Sequence, residues 1–240
     1  NSAVGVRHYN ESIYLANESD ILVYENGEWI NLNFYVNEVV EIKMIEIDNQ
    51  GIPYVIWYSP ESDWELYISK YVNNNWTTIS NDLNNIYVGD YARHSLDFSS
   101  ENTPFFIGVN DGQLTVFNIL NDSISIFNEI DVPAEQWLDN SVLEFDNNNK
   151  LYIAYLYEEV TIQFFNETSQ SWQKITNNTG LDELGSAFDY LDLKFNAQND
   201  LHVFHEGGGQ NAEIFTLLNC QFEEYIANNS QLNEKLKDKF

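Results

Sequence analysis

One layout recurs along this chain, and it limits the fold more than any other feature of the sequence. Ile45-Glu46-Ile47-Asp48 precedes Pro53-Tyr54-Val55-Ile56-Trp57, and Leu96-Asp97-Phe98-Ser99 precedes Pro104-Phe105-Phe106-Ile107. Leu143-Glu144-Phe145-Asp146 precedes Leu151-Tyr152-Ile153-Ala154-Tyr155, and Leu193-Lys194-Phe195-Asn196 precedes Leu201-His202-Val203-Phe204-His205. The apolar residue closing each first run lies seven positions before Tyr54, Phe105, Tyr152 or His202. A shorter copy near the start has Ile13-Tyr14-Leu15-Ala16 as its second run. The anchors Tyr14, Tyr54, Phe105, Tyr152 and His202 are spaced by 40, 51, 47 and 50 residues, the period of a four-stranded propeller blade.

Each copy reads as four strands. In the second, Glu41–Asp48 alternates apolar and polar residues, and Asn49-Gln50-Gly51 makes a tight turn. Pro53–Tyr58 is apolar throughout, as a strand buried on both faces would be. Leu66–Val72 alternates again, Asn73-Asn74-Asn75 turns the chain, and Trp76–Ser80 is a short outer strand. Third strands are predicted at Ile21–Tyr24, Leu114–Ile119, Thr161–Phe165 and Ile214–Leu218. Fourth strands are predicted at Trp29, Trp76, Ile124–Phe127, Trp172 and Phe222. Recurrence assigns Trp29, Trp76 and Trp172 to packing between blades, together with Tyr14, Tyr54 and Tyr152, and makes His202 a core histidine. The sequence thus predicts an all-β chain, a single five-bladed β-propeller of four-stranded antiparallel blades. The blades span about 1–33, 39–80, 93–130, 140–176 and 189–227. A tail follows at 228–240, in which Gln231–Phe240 is either a short helix or frayed.

The 240 residues include 38 acids and 10 bases, a formal charge of −28. Such a surface repels phosphate backbones and anionic headgroups, so nucleic acid is excluded as a partner. No apolar run is long enough to insert in a membrane. Cys220 alone cannot form an internal disulfide and reads as a buried thiol. The chain begins at Asn1 rather than Met, which suggests processing or excision. Seven asparagines stand in Asn-x-Ser/Thr triplets, at 10, 17, 75, 121, 166, 177 and 228; they lean towards a glycosylated extracellular or cell-surface protein.

The unit Asp48-Asn49-Gln50-Gly51-Ile52-Pro53-Tyr54-Val55-Ile56-Trp57, followed by Ile68-Ser69-Lys70-Tyr71 and Trp76, resembles the blades of sialidase-like β-propellers. That resemblance implies a funnel with ligands at one rim or across the channel mouth, and implies no activity. Sialidases grip a substrate carboxylate with three arginines. This chain has only Arg7 and Arg93 and lacks the Ser-x-Asp-x-Gly-x-Thr-Trp box, so it is not a sialidase.

Other chemistries have as little support. The turns Asp48–Gly51 and Asp146–Asn149 look like fragments of calcium loops, but they recur at one hairpin and turn chemistry explains them. His202 and His205 lie on opposite faces of a strand and cannot share a metal. Gly207-Gly208-Gly209 reads as a hairpin tip. No cofactor is expected, with calcium the one ion compatible with the acids.

What remains is the set of long links between blades, near Asn81–Arg93, Asp131–Asn140 and Asn177–Asp189. They put Tyr91, Arg93, Trp137, Asp139, Asp189 and Tyr190 at the rim as ligand-binding residues. Trp137 leads this group because it falls outside the blade pattern. The favoured function is a non-catalytic extracellular module that recognises carbohydrate or protein. The alternatives are a glycoside hydrolase using carboxylates such as Asp90, Asp139 and Asp189, and a structural scaffold of a surface assembly.

Overall fold

The computed structural model describes residues 3–17, 20–34, 40–59, 65–79, 86–88, 95–132, 141–157, 159–175, 188–207 and 211–217. Within them the chain forms five antiparallel sheets in sequence order. The first holds β1 (Ala3–Tyr9), β2 (Ser12–Asn17), β3 (Ile21–Glu25) and β4 (Glu28–Asn31); the second holds β5 (Glu41–Ile47), β6 (Pro53–Ser59), β7 (Glu65–Val72) and β8 (Asn75–Ile79). The third has β9 (Ile86–Tyr87), β10 (Leu96–Phe98), β11 (Pro104–Asn110), β12 (Gln113–Leu120) and β13 (Ser123–Glu129). The fourth has β14 (Ser141–Phe145), β15 (Leu151–Tyr157), β16 (Glu159–Asn166) and β17 (Ser171–Lys174); the fifth has β18 (Phe188–Phe195), β19 (Leu201–Gly207) and β20 (Asn211–Leu217). The strands expected from periodicity are present. The outer strand expected at Phe222, Cys220 and the tail lie outside the described residues.

Every strand β6 residue is buried, because apolar clusters cover both of its faces. One cluster joins Ile42, Ile45, Val55 and Trp57 to Ala16, Ile21 and Val23 of the first sheet. Another joins Met44, Tyr54, Ile56 and Tyr58 to Leu96, Phe98, Phe106 and Phe117 of the third. Equivalent clusters lie between sheets three and four and between four and five. The core is therefore a series of sheet-on-sheet layers. Tyr54 and Tyr152 are buried in these layers, and Tyr14 packs against them, as recurrence predicted.

Two of the three recurrent tryptophans also lie between sheets, with different hydrogen bonding. Trp76 Nε1 donates to the Leu32 carbonyl at 3.0 Å, and its ring meets Phe34 edge-on at 5.0 Å. The equivalent carbonyl two sheets further on, before Trp172, is that of Ile130, whose N–H pairs with Leu114 as the Leu32 N–H pairs with Ile21. The Gln113 side chain donates to that carbonyl, and Trp172 Nε1 is buried without a partner. Trp76→Phe should cost about 1 kcal/mol in chemical denaturation, and Trp172→Phe should cost markedly less, because no bond is lost.

The third tryptophan departs from its expected role. Trp29 is 51% exposed and touches Tyr24 of its own sheet at 5.2 Å. Packing needs a sheet on that side. The position that is 0% exposed at Ile45 and Leu193 and 1% at Leu96 and Leu143 is 52% exposed at Val6. The expected ring would set this face against the fifth sheet; among the described residues, Val6 and Trp29 stay more than half exposed.

A second difference concerns the third sheet, whose inner edge begins before residue 93. Tyr87 opposes Val109 and Leu96 opposes Phe106 on the same strand. Three steps along β11 match nine along the other side, so the ladder steps over six residues between β9 and β10. The Tyr58 hydroxyl fixes the near side: it donates to the Val88 carbonyl at 3.0 Å and accepts from the Val88 N–H at 2.5 Å. A two-residue strand is too short for periodicity to show.

Candidate functional site: the two ends of the sheets and the charged row between them

In a four-stranded meander, the first and third hairpins lie at one end of the sheet. The second hairpin and the link to the next sheet lie at the other. The first hairpins are built alike. Asp48 Oδ1 accepts the N–H groups of Gln50 and Ile52 at 2.8 Å each. Asp146 Oδ1 accepts those of Asn148 and Lys150 at 2.9 and 2.8 Å, and Asn196 Oδ1 those of Gln198 and Asp200 at 2.9 and 2.8 Å. Ser99 Oγ accepts the Thr103 N–H at 3.2 Å. These are Asx and Ser turns, in which a short side chain stands in for a backbone acceptor.

Three residues later each turn enters the left-handed region, at Gly51, Asn102, Asn149 and Asn199, which asparagine and glycine tolerate best. The three asparagines reach back to the preceding sheet. Asn102 accepts the Asn49 N–H at 2.8 Å and donates to Asp48 Oδ2 at 2.9 Å. Asn149 accepts from Ser100 at 2.5 Å, and Asn199 accepts from Asn147 at 2.8 Å and donates to Asp146 Oδ2 at 3.1 Å. Gly51 breaks the series because the first sheet offers Tyr9 instead. That hydroxyl donates to the Asn49 carbonyl at 3.1 Å, and a Cβ on Gly51 would lie 2.6 Å from the Tyr9 ring. The result is a hydrogen-bonded belt across one end of all five sheets. The turn reading of Asp48 and Asp146 holds: their oxygens accept N–H groups.

Between the two ends runs a charged row that the sequence reading missed. Arg7, Glu46, Asp97, Glu144 and Lys194 occupy one position of the five first strands. Each pairs across its ladder with an anchor: Tyr14, Tyr54, Phe105, Tyr152 and His202. Arg7 Nε meets Glu46 Oε2 at 2.6 Å, and Lys194 Nζ meets Glu144 Oε2 at 2.5 Å. Asp97 accepts the Phe98 N–H and, from the next sheet, the Phe145 N–H, both at 2.8 Å. Glu46 also accepts the Ile47 N–H at 3.1 Å. The signal was available, since the second residue of each of the four first runs is charged.

Burial pushes the Asp97 carboxyl up to about 6, against the pull of Lys194 and the two N–H donors. Burial, followed by the charge of Asp97, pushes Glu144 up to about 8 despite its contact with Lys194. Burial draws Lys194 downwards, but Glu144, Asp97 and Glu46 outweigh it and leave the amine above its ordinary value. Glu46 of the second sheet thus acts on Lys194 of the fifth.

The predicted rim residues are only partly placed. Tyr91, Arg93, Trp137 and Asp139 lie outside the described residues, as does Asp90. Asp189 and Tyr190 fall at the start of β18, at the link end of the fifth sheet, beside an irregularity in its register.

No family model and no curated protein matches this chain. Solved structures do resemble it. A luciferin-regenerating enzyme superposes with a TM-score of 0.58 at 9% identity, over 91% of this chain and 77% of that one. The likeness is one of fold. A fungal lectin from Aleuria aurantia, a six-bladed β-propeller with a fucose recognition mode, gives 0.56 at 12% identity over 85% and 69%. The protein YCF48 bound to D1 peptide gives 0.54 at 14% over 87% and 61%. These comparisons agree with an all-β fold of repeated, blade-like four-stranded sheets.

Proposed function

We propose that the chain is a propeller-type binding module, five blades long, that takes a carbohydrate or protein partner at its link end. The observation that carries this reading is the asymmetry of the two ends. The belt end is closed by repeated first hairpins that bond to one another, so the polar groups of those turns are already engaged. The long, unequal links leave from the opposite end, and their sequences carry Tyr91, Arg93, Trp137, Asp139 and, at the entry to β18, Asp189 and Tyr190. Links that carry both aromatic and acidic residues suit sugar hydroxyls and basic protein surfaces. The likeness to a fucose-recognising lectin and to a peptide-bound protein supports such a use of the fold. An extracellular or cell-surface setting is supported by the exposed triplet asparagines Asn10, Asn75 and Asn121 at hairpin tips.

The charged row argues against catalysis as its main role. Its carboxylates are held by Arg7, Lys194 and backbone N–H groups, which is fastening. One observation favours a hydrolase as the second reading: a carboxyl pushed up towards neutrality is what a general acid requires. A glycan array with and without calcium tests both readings. Binding that Trp137→Ala removes supports the module. Turnover of chromogenic glycosides that Glu144→Gln or Asp97→Asn abolishes in a folded protein replaces it with the hydrolase. A blank array and no turnover leave a scaffold.

A further inference from the structure

Four of the Asn-x-Ser/Thr triplets share one end of the molecule. Asn10 stands in the first hairpin of the first sheet, and Asn75, Asn121 and Asn166 stand at the third hairpins of the second, third and fourth. First and third hairpins lie at the belt end, so each of these sheets carries one triplet there. Asn10, Asn75 and Asn121 are exposed, and Asn166 is half-buried. Asn10 and Asn121 take φ of 52° and 53° in two-residue turns closed by the Tyr9–Ser12 and Leu120–Ser123 pairs, where asparagine is favoured. Asn166 Oδ1 accepts the N–H of Thr168, the hydroxyl residue of its own triplet, at 2.9 Å, which is an Asx turn. Turn geometry calls for the asparagine. It does not call for a hydroxyl two residues on, yet Ser12, Thr77, Ser123 and Thr168 supply one each time.

We propose that these four asparagines are N-glycosylated, so that sugar chains cover the belt end and take it out of use as a docking face. The setting rests on the extracellular module proposed above. The co-reactant is a lipid-linked sugar phosphate. Asparagine Nδ2 bonds to the anomeric carbon of the sugar, and the bond from that carbon to the phosphate oxygen breaks. The lipid phosphate leaves with the electron pair, and Nδ2 gives up one proton. The amide nitrogen carries two hydrogens and loses only one. Asn75 therefore keeps an N–H for the Asn73 carbonyl, to which it donates at 2.9 Å, and Asn166 keeps its oxygen for the turn. The belt also survives, because its bonds from the second sheet to the fifth join first hairpins, whereas the acceptors of the second to fourth sheets stand at third hairpins. Asn17 differs from all four. It ends β2 at the link end and is half-buried, and its Oδ1 accepts the N–H of Asp20, beyond its own triplet, at 2.8 Å. Asn177 and Asn228 lie outside the described residues.

Glycopeptide mass spectrometry of the whole chain, purified from the cells that make it, tests this. The expected result is sugar on Asn10, Asn75, Asn121 and Asn166 and none on Asn17. Ser12→Ala, Thr77→Ala, Ser123→Ala and Thr168→Ala should each remove the mass of one glycan while leaving the turn asparagine in place. Thr77→Ser and Thr168→Ser should keep it, which separates loss of the acceptor triplet from damage to the fold. Two or more bare asparagines among the four overturn the proposal, as does a glycan on Asn17 or a set of glycans that survives the alanine variants. The glycan array tells the two readings apart. A bare chain that binds a glycan sinks this proposal and leaves the binding module standing. A chain with all four sites filled and a blank array supports this proposal and counts against the module.

Discussion

Asp146→Ala should lower the unfolding free energy by about 2–4 kcal/mol, read from denaturant midpoints at an unchanged slope. The substitution removes one oxygen that accepts two N–H groups and a second that accepts Asn199 across the sheet boundary. The donors left behind are partly buried, so their desolvation adds to the lost bonds. Asp146→Asn should cost less, about 1–2 kcal/mol, because its amide oxygen keeps the turn while its amide nitrogen cannot accept from Asn199. The fifth sheet supports the retained turn, because Asn196 serves the same turn with a single carbonyl oxygen. Equal damage from both substitutions would mean that charge matters here rather than acceptor geometry.

The charged row should make the fold weaker as pH rises. Asp97 moves from an ordinary 3.8 to about 6 on folding, and Glu144 from 4.5 to about 8. Over those intervals the folded chain holds protons that the unfolded chain has released, so stability falls with increasing pH. The stabilisation is complete below about pH 4 and is lost as pH passes through 6 and on towards 8. At ~1.4 kcal/mol per unit, Asp97 alone accounts for about 2–3 kcal/mol, an upper bound given the coupling along the row. Urea midpoints should therefore be higher at pH 5 than at pH 8. Asp97→Asn combined with Glu144→Gln should flatten that slope whatever it does to absolute stability. A profile of unchanged steepness in the double variant would place the proton-linked groups elsewhere in this acidic chain.

What the sequence shows of this fold is local, and what it hides is relational. Pro53–Tyr58 could be read as a doubly covered strand because every residue in it is apolar. Asn49-Gln50-Gly51 could be read as a turn because glycine permits the observed φ of 83°. Trp29, Trp76 and Trp172 share a pattern, yet among the described residues only the latter two pack against another sheet, and no residue near Trp29 reports that. The charged row was visible as Arg7, Glu46, Asp97, Glu144 and Lys194 in register. Its meaning depends on contacts between neighbouring sheets, such as Arg7 with Glu46 and Lys194 with Glu144, which alternation within one strand does not reveal. The rim residues could be assigned only through connectivity, because loops carry no period.

The interrupted ladder of the third sheet has a consequence for engineering. Pairing resumes at Ser95, whose carbonyl accepts the Ile107 N–H at 2.9 Å, and it stops at Val88 under the Tyr58 hydroxyl. Both anchor points are set by residues outside the intervening six. Foreign peptides grafted between them would inherit a fixed entry and exit, so this interval can be diversified while the scaffold stays constant.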